Sequence, residues 1–143
     1  MSSRTTIQGR TATHAIRLRR TFRASPERVF RAVTNSAEIR RWCGQSGVVS
    51  RQLGGRFAMF DEWATGEVLV YDPPSQLVHT WRLEEWPADV PASEVRWRFT
   101  PCASGTRVEL AHLRLPNARE QKNLSKGWLE HYFEPLDRFF ARR

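Results

Sequence analysis

At 143 residues, 40% of them hydrophobic, the chain is long enough to bury one sizeable core and too apolar for a disordered protein. It has no apolar run near the roughly twenty residues of a bilayer span and no secretion-signal pattern at its start, so a cytoplasmic protein with no membrane span is expected. The formal net charge is +8, yet the arginines are scattered over every predicted element, alternate with apolar residues and accompany no nucleic-acid motif. They read as a solvated basic surface rather than a nucleic-acid site.

Residues 1–11, rich in Ser, Thr and Arg, read as a flexible tail, and 12–143 as a single domain. Over 12–23 the pattern alternates, with Ile16, Leu18 and Phe22 on one side and Arg17, Arg19 and Thr21 on the other, as in a half-buried strand; Arg20 falls on the apolar side. Ser25-Pro26-Glu27 is a helix start, with a capping hydroxyl followed by proline at the first helical position. Asn35 or Ser36 interrupts and recaps, and a second short helix over 37–42 ends at Gly44. Strands are then expected at 47–51, 56–60, 66–71, 76–82, 93–101 and 106–114, separated by turn residues such as Gly54-Gly55 and Asp72-Pro73-Pro74-Ser75. Close spacing makes them an antiparallel meander, with one longer loop at 86–92.

The last stretch, 117–143, reads as one long helix. Leu124, Trp128, Tyr132, Leu136 and Phe139 recur at steps of three or four, with Leu129, Phe133 and Phe140 widening the stripe. Asn117 caps its start, with Glu120 in the first turn, and Pro135 is expected to kink it near residues 132–134. Helix and sheet each have one apolar face to bury, so the sheet must curve around the helix. The fold class is therefore α+β, with a curved antiparallel sheet of about seven strands wrapped around a long C-terminal helix and two short helices between strands 1 and 2.

This order resembles the helix-grip fold of the START/SRPBCC superfamily. Local motifs narrow the resemblance to the family named for the activator of the heat-shock-protein-90 ATPase, in its free-standing bacterial form. They are Arg20-Thr21-Phe22 with Ala24 and Pro26, Val29-Phe30, Ala32, Thr34, Glu38, Arg41-Trp42, Gly54-Gly55-Arg56-Phe57, Gly66-Glu67-Val68, Thr80-Trp81, Gly105-Thr106-Arg107, Leu110 with His112, and Gly127-Trp128. The chain departs from the family at Cys43-Gly44, where relatives often carry a second aromatic and Gly-Pro, and in the short hairpin between Phe60 and Gly66. Both departures bear on the mouth of a cavity that the resemblance implies between sheet and helix.

Strand parity tells which side chains face that cavity. Phe57, Met59, Val68, Val70, Leu77, Trp81, Val95, Trp97, Phe99, Val108 and Leu110 point inward, joined from the long helix by Trp128 and Tyr132. Three polar residues share the inward parity: Arg20, His79 and His112. Each needs a partner if buried. Either they form the polar end of a pocket, Arg20 holding an acid and a histidine orienting or protonating a ligand, or they pair locally and pack. The candidate binding set is thus Arg20, Phe57, Met59, Val68, His79, Trp81, Trp97, His112, Trp128 and Tyr132. Asp61 and Glu62 beside Trp63 stand at a hairpin tip near the mouth.

Two isolated cysteines, no nucleophile and base at telling spacing, no Gly-rich phosphate loop and no metal-ligand cluster lead to an expectation of no cofactor and no metal. Three functions follow in order: binding, without catalysis being required, of a small hydrophobic molecule, with or without an acidic group, in the cavity between sheet and C-terminal helix; a chaperone-associated interaction domain, as the family name implies, meeting an acidic protein surface; and a cyclase- or hydrolase-like enzyme using Arg20, His79 and His112. Whether the protein is an enzyme stays open, because one scaffold hosts unrelated activities. A monomer, or a weak dimer through an exposed strand edge, is expected.

Overall fold

Capping side chains fix where the helices begin. The computed structural model describes residues 14–141; the tail expected at 1–11, residues 12–13 of the expected first strand and residues 142–143 of the expected last helix lie outside the described residues. After strand β1 (Ile16–Phe22), helix α1 (Pro26–Thr34) starts where Ser25 Oγ accepts the Arg28 N–H at 3.2 Å. Asn35 ends α1 by donating its backbone N–H to Arg31 and starts α2 (Ser36–Cys43) by accepting the Glu38 N–H at 3.1 Å. One residue serves both helices, each such cap contributing about 1 kcal/mol.

Six further strands follow: β2 (Gly47–Val49), β3 (Arg56–Met59), β4 (Ala64–Asp72), β5 (Gln76–Leu83), β6 (Ser93–Cys102) and β7 (Gly105–Leu113). All pairs are antiparallel, and the seven strands form one sheet in the order β1-β7-β6-β5-β4-β3-β2. Strand β1 therefore closes onto the last strand, and the helices α1 and α2 cross from one edge of the sheet to the other. Gly66 leaves no room for a side chain between β4 and β5: a Cβ there would lie 2.0 Å from the Thr80 carbonyl oxygen.

Inward parity holds along most strands, with one correction. The β4–β5 register slips between Val68, which pairs with His79, and Val70, which pairs with Val78. That bulge turns Val70 to the outer side with Val78 and brings Tyr71 inward onto Phe30, their ring centroids 5.4 Å apart. Alternation read from sequence has no means of counting the extra residue.

The C-terminal helix is three segments: α3 (Ala118–Trp128), a π-helical turn (Leu129–Phe133) and α4 (Glu134–Ala141). Asn117 Oδ1 accepts the Glu120 N–H at 2.9 Å, as its position predicts. The expected kink is instead a widened turn just before Pro135, closed by the Glu134 N–H on the Leu129 carbonyl. Pro135 has no N–H to give and its ring would press on the carbonyl four residues back, so a turn wider by one residue relieves both conflicts. The extra residue also rotates the apolar stripe. Leu124, Trp128, Tyr132, Phe133, Leu136 and Phe140 are buried, whereas Leu129 is 37% exposed and Phe139 only partly covered. Burying each of those six side chains is worth roughly 1.5–3 kcal/mol, which makes this face the main attachment of the helix.

Candidate functional site

The centre of the sheet–helix space is filled by aromatic rings. Trp81 and Trp128 lie 5.1 Å apart between ring centroids, Trp97 and Trp128 5.7 Å, Trp97 and Tyr132 5.6 Å, and Trp128 and Tyr132 4.5 Å. Strands β5 and β6 supply the first rings and the helix the others, so the packing ties the two layers together at each step.

The two histidines are woven into this cluster, each hydrogen-bonded by a tryptophan. Trp128 Nε1 donates to His112 Nδ1 at 3.0 Å. An indole nitrogen can only donate, so His112 carries its proton on Nε2 and donates it to Ser93 Oγ at 2.8 Å; the Ser93 hydroxyl in turn donates to the Trp81 carbonyl at 2.8 Å. Likewise Trp97 Nε1 donates to His79 Nε2 at 3.3 Å, which leaves the proton on Nδ1, facing the Thr80 carbonyl at 2.9 Å. Phe57 stacks on His79 with centroids 3.7 Å apart. Both imidazoles are neutral: burial pushes His79 down to about 4, and burial with the neighbouring His79 pushes His112 down to about 3. The nitrogen of His112 that meets Ser93 already carries its proton, so it is not set to take one from the hydroxyl. The pair is a structural chain, not a nucleophile and its base.

One polar atom in the cluster has no partner. The Trp81 indole N–H is buried and meets no acceptor among the described residues. Trp81 also forms part of the floor of a surface groove of about 290 Å³ between the β3–β4 hairpin tip, the end of β5 and the C-terminal helix. Its floor is apolar, from Phe60, Trp81, Leu83, Leu124, Trp128 and Tyr132, and Glu85, Glu120 and Glu130 outnumber Lys126 along its rim. Gly127 lines the groove from α3, and a Cβ at that position would meet nothing nearer than His131 Cδ2 at 4.0 Å.

The hairpin tip beside the groove has a strained backbone. Phe60, Asp61 and Glu62 have φ of 57, 54 and 74°, three successive non-glycine residues in the left-handed region. Asp61 anchors them: its carboxylate accepts the Ser46 N–H at 2.9 Å and the Gln45 side-chain amide at 3.3 Å, and these bonds hold its carboxyl below the usual range. Phe60 packs edge-on against Tyr132 and His131, and Trp63 stands beside it, 37% exposed.

Of the ten residues singled out from sequence, Trp81, Trp128 and Tyr132 line the groove. Phe57, His79, Trp97 and His112 sit behind them in the aromatic cluster, and Val68 pairs with His79 in the sheet. Met59 is buried toward Gly47 and Ile39. Arg20 is elsewhere: half-buried on the edge strand, it pairs with Asp137 of α4 and lies 5.8 Å from the Phe133 ring centroid. Inward parity at an edge strand brings a long side chain to the border of the core, where α4 meets it. Sequence reasoning did not assign Leu83, Leu124 or Gly127 to the site; a glycine in mid-helix, costly in helix propensity, was the available signal for the last. Among the described residues no cluster of three or more potential metal ligands occurs, and no helix is long and apolar enough to cross a membrane.

A seven-stranded antiparallel sheet gripping a long C-terminal helix, with two short helices after the first strand and a concavity between hairpin and helix, defines a helix-grip protein of the START/SRPBCC type. Within that class the chain belongs to the family described as activator of Hsp90 ATPase homolog 1-like protein, whose profile matches residues 23–141. The chain is 27% identical over 126 residues to the human activator of 90 kDa heat shock protein ATPase homolog 1, an alignment covering 88% of this chain and 37% of that protein. It thus spans little more than a third of the curated relatives' length. A protein from Mesorhizobium loti shares the structure with a TM-score of 0.77 at 26% identity, over 90% of this chain and 97% of its own. An HSP90 activator from Plasmodium falciparum gives a TM-score of 0.78 at 20% identity, over 89% of this chain and 96% of its own, and shares the fold.

Proposed function

We propose that the domain binds one small, planar, mainly apolar molecule in the groove between the hairpin tip and the C-terminal helix, and that a carbonyl or hydroxyl of that molecule accepts the Trp81 N–H. The observation that carries this reading is that Trp81, whose buried indole N–H lacks an acceptor among the described residues, forms part of the floor of a concave apolar groove. Leaving a buried donor without an acceptor costs about 1–3 kcal/mol, which a ligand acceptor would recover on binding. The volume is at the lower end of ligand sites, which favours a compact molecule. The glutamates on the rim and the distance of Arg20 from the groove favour a neutral molecule over an acidic one.

The test is titration with acetylnaphthalene, a neutral planar ketone, followed by tryptophan fluorescence, against naphthoic acid as its anionic counterpart. The ketone should bind saturably and more tightly than the acid, and Trp81→Phe should weaken it by about five- to tenfold, the worth of one hydrogen bond. Absence of saturable binding, or an unchanged affinity in Trp81→Phe, defeats the proposal.

A second reading is a chaperone-associated interaction domain, favoured by the curated relatives described as activators of the 90 kDa heat shock protein ATPase. Co-precipitation of the purified domain with the 90 kDa chaperone, and stimulation of that chaperone's ATPase, test it; neither outcome depends on the groove.

A further inference from the structure

The outer face of the sheet, on the side away from the helix, carries an ordered array of arginines. Arg17 and Arg96 flank Ala111 in one cross-strand row, and Arg19 and Arg98 flank Glu109 in the next. These residues border a shallow depression of about 530 Å³. Neighbouring strands are about 4.8 Å apart, so the two arginines of a row stand about 9.6 Å apart with the β7 residue between them. Arg17, Arg19 and Arg98 have no carboxylate at ion-pair distance among the described residues. Arg96 is braced from one side by Glu94, itself 6% exposed, at 2.5 Å, and Glu94 also holds Arg114 at 2.8 Å. One residue pair further along β7 stands Arg107, half-buried, whose Nε is enclosed and meets no acceptor. The outer line of β7 therefore reads Ala111 between two guanidiniums, then a carboxylate, then, beyond the depression, a further guanidinium.

We infer that this face docks an extended acidic segment of a partner protein, laid along β7 with a carboxylate over Ala111, a neutral residue over Glu109 and a second carboxylate at Arg107. In an extended chain alternate side chains share a face about 6.8 Å apart, so the matching pattern is an acid, a neutral residue two positions on and an acid two positions further. Glu109 makes the site selective. A continuous polyanion such as a nucleic acid would bring charge against it, and Trp97, the aromatic residue bordering the depression, is buried and offers no platform for bases. The inference rests on neither the groove nor the chaperone reading.

The probe is a labelled peptide repeating Glu-Gly-Thr-Gly, compared by fluorescence anisotropy with an isomer of the same composition and charge whose glutamates come two residues apart in pairs. The repeat should bind at least about fivefold tighter than the isomer. Glu109→Gln should narrow that gap by improving the isomer. Arg17→Glu with Arg96→Glu should weaken the repeat by about tenfold or more, whereas Arg119→Glu, an exposed charge on α3, should leave it within about twofold. Backbone amide shifts should move at Arg17, Arg96, Arg107 and Ala111. Equal affinity for the two peptides, loss of binding in Arg119→Glu to the same extent, no binding at all, or tighter binding of a single-stranded oligonucleotide than of either peptide overturns the inference.

Discussion

Acidification should destabilise this protein well before its carboxylates titrate, because two neutral histidines are locked inside the aromatic cluster. In the unfolded chain a histidine protonates near 6.5; in the folded protein His79 and His112 do so at about 4 and about 3. Both folded values are depressed, so the stability these groups contribute is complete above the unfolded value and is lost as pH falls toward the folded ones. At about pH 5 the unfolded state binds nearly two more protons than the folded state, at a slope of about 1.4 kcal/mol per proton per pH unit. Integrated from neutral pH, the loss is about 2 kcal/mol for each histidine and about 4 kcal/mol together, a large part of the 5–15 kcal/mol of a typical domain. Urea unfolding followed by tryptophan fluorescence between about pH 8 and about pH 5 measures it directly. Two substitutions assign it: His112→Asn can still accept from Trp128, and His79→Gln from Trp97, and neither titrates. Each should be less stable at neutral pH and should lower the pH slope by about one proton. A wild-type slope below one proton, or one that neither variant changes, would refute the assignment of neutral, tryptophan-bonded imidazoles.

The three tryptophans of the cluster should respond differently to Phe. Trp128→Phe and Trp97→Phe each orphan a histidine acceptor and should cost about 1–3 kcal/mol beyond the loss of packing, while Trp81→Phe orphans nothing and should cost less than either, as read from urea midpoints. Gly127→Ala should stabilise the fold by up to about 1 kcal/mol, since the position is helical and a Cβ meets only His131 at 4.0 Å, yet it should weaken acetylnaphthalene binding by narrowing the groove; stabilisation with unchanged binding would remove Gly127 from the site. Arg20→Ala should change stability by less than about 1 kcal/mol, because its pair with Asp137 is partly exposed, and should leave acetylnaphthalene affinity unchanged in the same titration.

What could be read from the sequence was whatever a short period or a local hydrogen bond encodes. Asn35 and Asn117 announce their helices because a side-chain oxygen three residues before a free N–H is a local event. Parity placed Trp97 and His112 inward because a strand has only two faces. Parity failed at Val70, where a bulge adds a residue, and the 3.6-residue period failed along the last helix at Leu129 and Phe139, which the π turn before Pro135 leaves on the outer side of the stripe while Phe133 and Phe140 are buried as expected. Arg20 lies on the expected side of its strand, but which element meets it depends on where α4 ends up. The histidines illustrate the limit most clearly. Their burial follows from position, but their tautomers depend on tryptophans sixteen and eighteen residues away, and no spacing rule connects those pairs. The groove is likewise assembled from a hairpin tip, a strand end and one face of a helix, brought together only by the way the helix packs across the sheet.

The Trp81 indole N–H is the most direct reporter of a ligand in the groove. Proton–nitrogen NMR of the six indole groups during titration with acetylnaphthalene separates them. The Trp81 N–H signal should move downfield and saturate with the ligand, and exchange more slowly with solvent, while those of Trp97 and Trp128, already bonded to histidines, should move little. A titration in which the Trp81 signal stays still, or in which all six drift together without saturating, would contradict a ligand seated on that donor.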